Sequence, residues 1–313
     1  MGRKYLVGVL LVVVLALVLT FGAAPVQTDS LNAASGISYG SAVIPQAEQT
    51  NGTGETQLSN QTQEIRAIYP SDEVVLKEIE KIFGPETMAL AKHRVTATID
   101  LNSREGTYYI INPVPVWNAN WCGYSLNNVN LVGVRSTFNV KHCTGADAFD
   151  GTWIGLGGHR VNNLIQTGVD QLHMYAWVEA LPGAAQFLFW VNQNDSMSSS
   201  VGREAGGYCR VVIMDNTTGS YWAADIAYPP TDPWGDWIVE TPCKDANCVQ
   251  QYHIGHFGTV SFTDSKWWDT NEVWHTINEA GTLWKMQMNT VNGEVMIPSN
   301  LGGGGTSFSV TRN

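Results

Sequence analysis

Hydrophobic and polar positions alternate in short runs through the second half of the chain. VGVRSTFNV (132–140), TWIGLGG (152–158), HMYAWVEAL (173–181), QFLFWV (186–191), CRVVIMD (209–215), YWAADIAY (221–228), DWIVET (236–241), FGTVSFTDS (257–265), LWKMQMN (283–289) and SFSVT (307–311) each read as a strand between turn residues. So many short strands without helical stripes predict an antiparallel β-sandwich. GGGG at 302–305 reads as a loop before the last strand. Upstream the period changes. Ser71, followed by Asp72 and Glu73, is an N-cap signal, and Val74, Val75, Leu76, Ile79, Ile82 and Phe83 form a helical stripe that Gly84-Pro85 ends. A second short helix is predicted in ETMALAKHR (86–94), then strands in RVTATID (94–100) and TYYII (107–111).

From Val26 to Glu64 the chain is polar with one aromatic, Tyr39, too little to fold. The N-terminus places Arg3 and Lys4 before an apolar run from Leu6 to Phe21 and the small residues Gly22 to Ala24, the order of a secretory leader; an uncleaved membrane anchor is the alternative. The expected division is a leader over 1–24, a disordered linker over 25–64, a helical pro-segment over 65–112 and a β-sandwich domain over 113–313. Export would place the protein outside the cell.

Composition narrows the partners. Charged residues make up 14% of the 313, Gly (31), Trp (12) and Tyr (11) are plentiful, and the net charge is −11. A chain this acidic does not suit nucleic-acid phosphates, which need clustered Lys and Arg. No cofactor is implied, and a monomer is expected. Among five cysteines, Cys243 and Cys248 are spaced for a small disulfide loop, while His253 and His256 nearby allow a zinc site to be drawn instead. Cys122, Cys143 and Cys209 are expected to give one more bridge and one free thiol. Sequons stand at Asn51, Asn60, Asn194 and Asn216.

Two polar positions fit poorly with packing alone. Gln166 lies in LIQTGVD beside Leu164 and Ile165, and a buried amide needs hydrogen-bond partners, so it is either tied into a network or kept for chemistry. Strand parity puts Asp236, Ile238 and Glu240 on one face and Trp237 and Val239 on the other. Two acids on one face read as a solvent-facing strand or as a site. A carbohydrate-binding or glycoside-cleaving sandwich would use Glu179 with Glu240 as its acid pair, and Trp267, Trp268 and Trp274 as sugar platforms.

NWCGY (120–124), TWIGLGG, LIQTGVD, WVE (177–179), DWIVE and FGTVSFTD occur in an order and spacing that resembles the glutamic peptidases, or eqolisins. The resemblance implies a double β-sandwich of two bent antiparallel sheets and a secreted acid endopeptidase acting on proteins and peptides. It carries the catalytic pair onto Gln166 and Glu240, with Trp121, Trp153, Asp170, Trp177, Glu179 and Asp236 as supporting or substrate-binding residues; Asp170 and Glu179 are expected to fix the amide. With an unperturbed glutamate pKa of about 4.3, the base would stay ionised well below neutrality. Gly157, Leu181 and Asp236 depart from the family's usual Asp, Tyr and Glu. Maturation is expected between Arg94 and Trp117, with any latency resting on pro-segment packing over the groove.

Overall fold

The computed structural model describes residues 65–103, 118–159, 163–245 and 247–313. The leader, the linker, the TYYII strand, Asn51, Asn60 and Trp117 lie outside the described residues. Strands β1 (Ala67–Ile68) and β2 (His93–Arg94) flank helix α1 (Asp72–Phe83) and the single turn α2 (Pro85–Met88). Next come β3 (Trp121–Asn127), β4 (Leu131–Asn139), β5 (Gly151–Gly157), β6 (Leu164–Asp170), β7 (Tyr175–Ala180) and β8 (Gln186–Trp190). β9 (Ser196–Glu204), β10 (Tyr208–Asp215), β11 (Ser220–Ile226) and β12 (Trp234–Glu240) follow. The chain ends with β13 (Gly258–Asp269), β14 (Trp274–Thr276), β15 (Thr282–Met286), a ribbon of β16 (Met288–Asn289) and β17 (Val295–Met296), and β18 (Phe308–Arg312).

These strands build two large sheets. A seven-stranded sheet runs β15-β3-β12-β5-β6-β7-β8, and a nine-stranded sheet runs β1-β11-β10-β9-β4-β13-β14, with β18 on β13 and β2 on β11. The short β2–β11 pairing is parallel; the others described are antiparallel. Strand alternation sends Ile154, Ile165, Val169, Val178, Trp237 and Val239 of one sheet against Phe138, Val201, Val211, Ile213 and Phe262 of the other. Each large apolar side chain buried this way contributes about 2 kcal/mol. The indole N–H of Trp237 is satisfied by the Arg135 carbonyl at 2.9 Å.

The predicted alternating segments fall on observed strands, but β9 has no hydrophobic signature. Its inward positions are Met197, Ser199 and Val201, all fully buried, and serines fill half of the rest. It pairs with both β4 and β10, so ladder hydrogen bonds hold it where side chains signal little. Its Gly202, with Gly133 of β4, forms a bed for the Trp268 ring: a Cβ at either would lie 2.0–2.3 Å from that ring.

The N-terminal segment is shorter in regular structure than its pattern suggests. α1 forms as predicted, with Ser71 Oγ accepting from the Val74 N–H and Gly84, at φ 90°, stopping it. In ETMALAKHR only the turn through Met88 is helical, and in RVTATID only Arg94 is strand. Val75 and Ile79 of α1 pack on Val212, Met214, Tyr221 and Ala223, the outward positions of β10 and β11. The helix therefore covers the outer face of the nine-stranded sheet, and not a groove.

Candidate active site

Every predicted site residue stands on the seven-stranded sheet, on the face turned away from the inter-sheet core. In register, Glu240 of β12 pairs with Gly151 of β5, and Gln166 of β6 pairs with Gly155 on the other side of β5. Trp153 stands between those two glycines. Glu179 of β7 is directly opposite Gln166. Trp121, Trp153, Leu164, Trp177, Leu181 and Ile238 make the apolar cluster in which the polar groups are set.

A cleft is lined by Gln166 and Glu240 together with Trp153, Asp170, Tyr175 and Trp177, and also by Phe149, Gly151, Ala185 and Pro242. Glu240 is 7% exposed. Its Oε2 accepts from Trp153 Nε1 at 2.9 Å and its Oε1 from Asn120 Nδ2 at 2.8 Å. Burial pushes its pKa up to about 7, against the stabilising effect of the Trp153, Trp121 and Asn120 dipoles. The indole N–H of Trp121 makes no direct hydrogen bond among the described residues, so its help is that of a nearby dipole.

Gln166 is held from one side. Its Nε2 donates to Glu179 Oε2 at 2.6 Å, a contact only the NH₂ end of an amide can make with a carboxylate. That fixes the amide's orientation. Its buried Oε1 accepts no hydrogen bond among the described residues, and one N–H is left over; both suit water or a substrate carbonyl. Gly168 keeps the floor flat, since a Cβ there would lie 2.6 Å from Trp153 Cβ.

Two expectations need correction. Asp170 lines the cleft but does not fix the amide: its Oδ1 accepts from the N–H groups of Leu172 and His173, and its Oδ2 bonds His173 Nδ1 at 2.9 Å. It shapes the β6–β7 turn. Asp236 and Trp121 do not line the cleft. Asp236 is fully buried, accepts from Ser125 Oγ at 2.6 Å and bonds His159 Nε2 at 2.7 Å. Burial raises its pKa and the His159 contact opposes the rise. β12 is buried throughout, so the solvent-facing reading of DWIVET fails. Trp121 backs the cleft wall, edge-on to Trp153 at 4.9 Å and to His159 at 5.5 Å.

Cys243 and Cys248 form a disulfide with Cα atoms 5.0 Å apart, which removes both from any zinc site. Cys122, Cys143 and Cys209 are all free and buried, so the second bridge is absent. Trp267 is buried against His275, Trp268 lies on its glycine bed and Trp274 stacks on Arg135, all on the nine-stranded sheet. They cannot serve this cleft as sugar platforms. At Gly157, φ is 102° and a Cβ would lie 2.1 Å from the Asn163 carbonyl, so the Asp expected by resemblance cannot stand there without moving backbone.

Asn120 and His159 were not predicted. Asn120 adjoins Trp121, which pairs with Glu240 across β3 and β12; only that long-range register shows the amide reaching the acid.

The Peptidase A4 family model matches residues 119–311, which hold strands β3 to β17, nearly all of β18 and this site. The chain belongs to the peptidase A4 family, the eqolisins. It is a peptidase of the glutamic class. Scytalido-glutamic peptidase, solved with a transition state analog inhibitor, superposes with TM-score 0.53 at 20% identity over 63% of this chain and 99% of that one. SCP-B, an eqolisin solved with the tripeptide Ala-Ile-His, gives 0.51 at 19% identity over the same shares. No curated protein matches the chain. At such identity the solved structures speak for the eqolisin sandwich alone.

Proposed function

We propose that the protein is a secreted endopeptidase in which Glu240 is the general base and Gln166 the oxyanion donor. The observation that carries this reading is the shared cleft, which brings the Glu240 carboxyl and the Gln166 amide together, each locked by its own partners, while Asp170 is tied to its own turn and no second carboxyl bonds Glu240 among the described residues. Glu240 takes a proton from water as the oxygen attacks the scissile carbonyl. The free N–H of Gln166 meets the developing oxyanion, and its Oε1 orients the attacking water. Glu240 then returns the proton to the leaving nitrogen as the C–N bond breaks. Trp153 and Asn120 hold the carboxylate through both steps, and Glu179 holds the amide.

The pH consequence revises the expectation drawn from an unperturbed glutamate. With Glu240 raised to about 7, the base form falls roughly tenfold for each pH unit below that value. Activity should therefore decline already in mild acid.

Incubation with a denatured protein and, in parallel, with polysaccharides tests the class. Protein cleavage that persists with EDTA, pepstatin, serine reagents and thiol reagents is expected. Cleavage blocked by EDTA or pepstatin, or turnover of polysaccharide alone, would remove the Gln/Glu reading.

A further inference from the structure

Residues 65–103 precede the family's span, yet they are built into the enzyme at two places. On the outer face of the nine-stranded sheet, Val75, Ile79 and Ile82 of α1 are buried, β1 and β2 add strands to β11, and Glu78 meets Arg210 at 3.4 Å. The chain then descends past the sheet edge. Val95 donates to the Tyr221 carbonyl, Trp222 Nε1 donates to the Ala97 carbonyl at 3.1 Å, and Ile99 N–H donates to Tyr69 Oη at 3.0 Å.

Its end reaches the loop between β7 and β8, residues 181–185, whose Ala185 lines the catalytic cleft. Leu101 is 2% exposed and belongs to the main core. The Asp100 N–H donates to Gln186 Oε1 at 3.1 Å, and the Ala184 N–H donates to the Ser103 carbonyl at 2.9 Å. Gly183 lies so close that a Cβ there would be 2.1 Å from the Leu101 carbonyl. From the other side Tyr228 Oη donates to the Leu181 carbonyl at 2.6 Å. The loop is clamped between the N-terminal segment and the sandwich.

We infer that residues 65–103 are a permanent docked part of the peptidase that positions the cleft-lining loop, and not an inhibitory piece released on activation. A cut after residue 103 would leave the segment attached without a covalent link. Leu101 and Gln186 are then positioning residues for substrate binding. The activity arm of this inference rests on the proposed peptidase function; the association arm does not.

A protease site inserted between 104 and 117 in the full chain separates the possibilities. After the cut, the 65–103 fragment should co-elute with the domain in gel filtration, and amides 181–186 should keep their protection from hydrogen exchange. Stripping the fragment with mild denaturant should raise KM at least tenfold, and a synthetic 65–103 peptide should restore it. Gln186→Ala should raise KM several-fold with kcat within twofold, and Leu101→Ala more strongly. Spontaneous loss of the fragment, activity that rises on its release, or a stripped domain with unchanged KM and loop protection would overturn the inference. If wild type cleaves no protein while the fragment co-elutes and protects the loop, the peptidase reading fails and the docking stands.

Discussion

Two acids occupy neighbouring positions on opposite faces of the seven-stranded sheet. Glu240 ends β12 and pairs with Gly151, while the adjoining residues Thr241 and Asp150 turn the other way, Thr241 Oγ1 donating to Asp150. Burial lifts both carboxyls to about 7. Their surroundings differ: Asp150 is fully buried beside Cys143 and accepts from the Gly255 N–H at 2.6 Å, whereas Glu240 borders a cleft that also holds Gln166. A raised pKa marks burial. An open approach and an opposed donor mark chemistry.

The largest effect should separate these acids. Glu240→Gln should lower kcat/KM by ~10³-fold or more, because the base is gone while the side chain's shape remains; Asp150→Asn should stay within a few-fold of wild type. Activity lost equally in both, with folded spectra, would erase the distinction. Gln166→Ala should cost about 10²- to 10³-fold in kcat, the usual cost of losing one oxyanion donor. Retained kcat would remove the amide from the mechanism.

Stability sharpens the comparison from the other side. A carboxyl whose pKa is raised on folding supports the fold fully below its unfolded value and loses that contribution as pH rises through its folded value. For Asp150, raised from 3.8 to about 7, the contribution present in acid and gone above pH 7 is on the order of 4 kcal/mol. Asp150→Asn should therefore melt near wild type at pH 4 and clearly higher at pH 8. A difference that does not grow with pH would place the Asp150 proton elsewhere. Smaller still, Asn120→Ala removes one donor to the Glu240 carboxylate, and should move the acid limb of kcat/KM up by about one pH unit. An unmoved or lowered limb would deny Asn120 that role.

Much of the site was legible in sequence because strand parity is local. LIQTGVD and DWIVET put Gln166 and Glu240 among apolar neighbours, and the alternation of Asp236, Ile238 and Glu240 held. Non-local facts were hidden. Asn120 reaches Glu240 only through the β3–β12 register, and Asp170 is taken by its own turn instead of by Gln166. β9 escaped detection because its buried serines carry no hydrophobic period. The stripe on α1 told that the helix packs, but not on which face, since β10 and β11 are apolar on both. Glu240's pKa depends on how dry its surroundings are, which the linear sequence does not record.

The pH dependence of kcat/KM on an unfolded protein, measured from pH 3 to 9 for wild type and Asp150→Asn, tests the central claim most directly, since this ratio reports ionisations of the free enzyme. The Gln166/Glu240 pair predicts an acid limb of one-proton slope with its midpoint near 7, where burial places Glu240, and the same limb in Asp150→Asn. A midpoint near the ordinary glutamate value of about 4, a two-proton slope, or a limb that disappears in Asp150→Asn would contradict it.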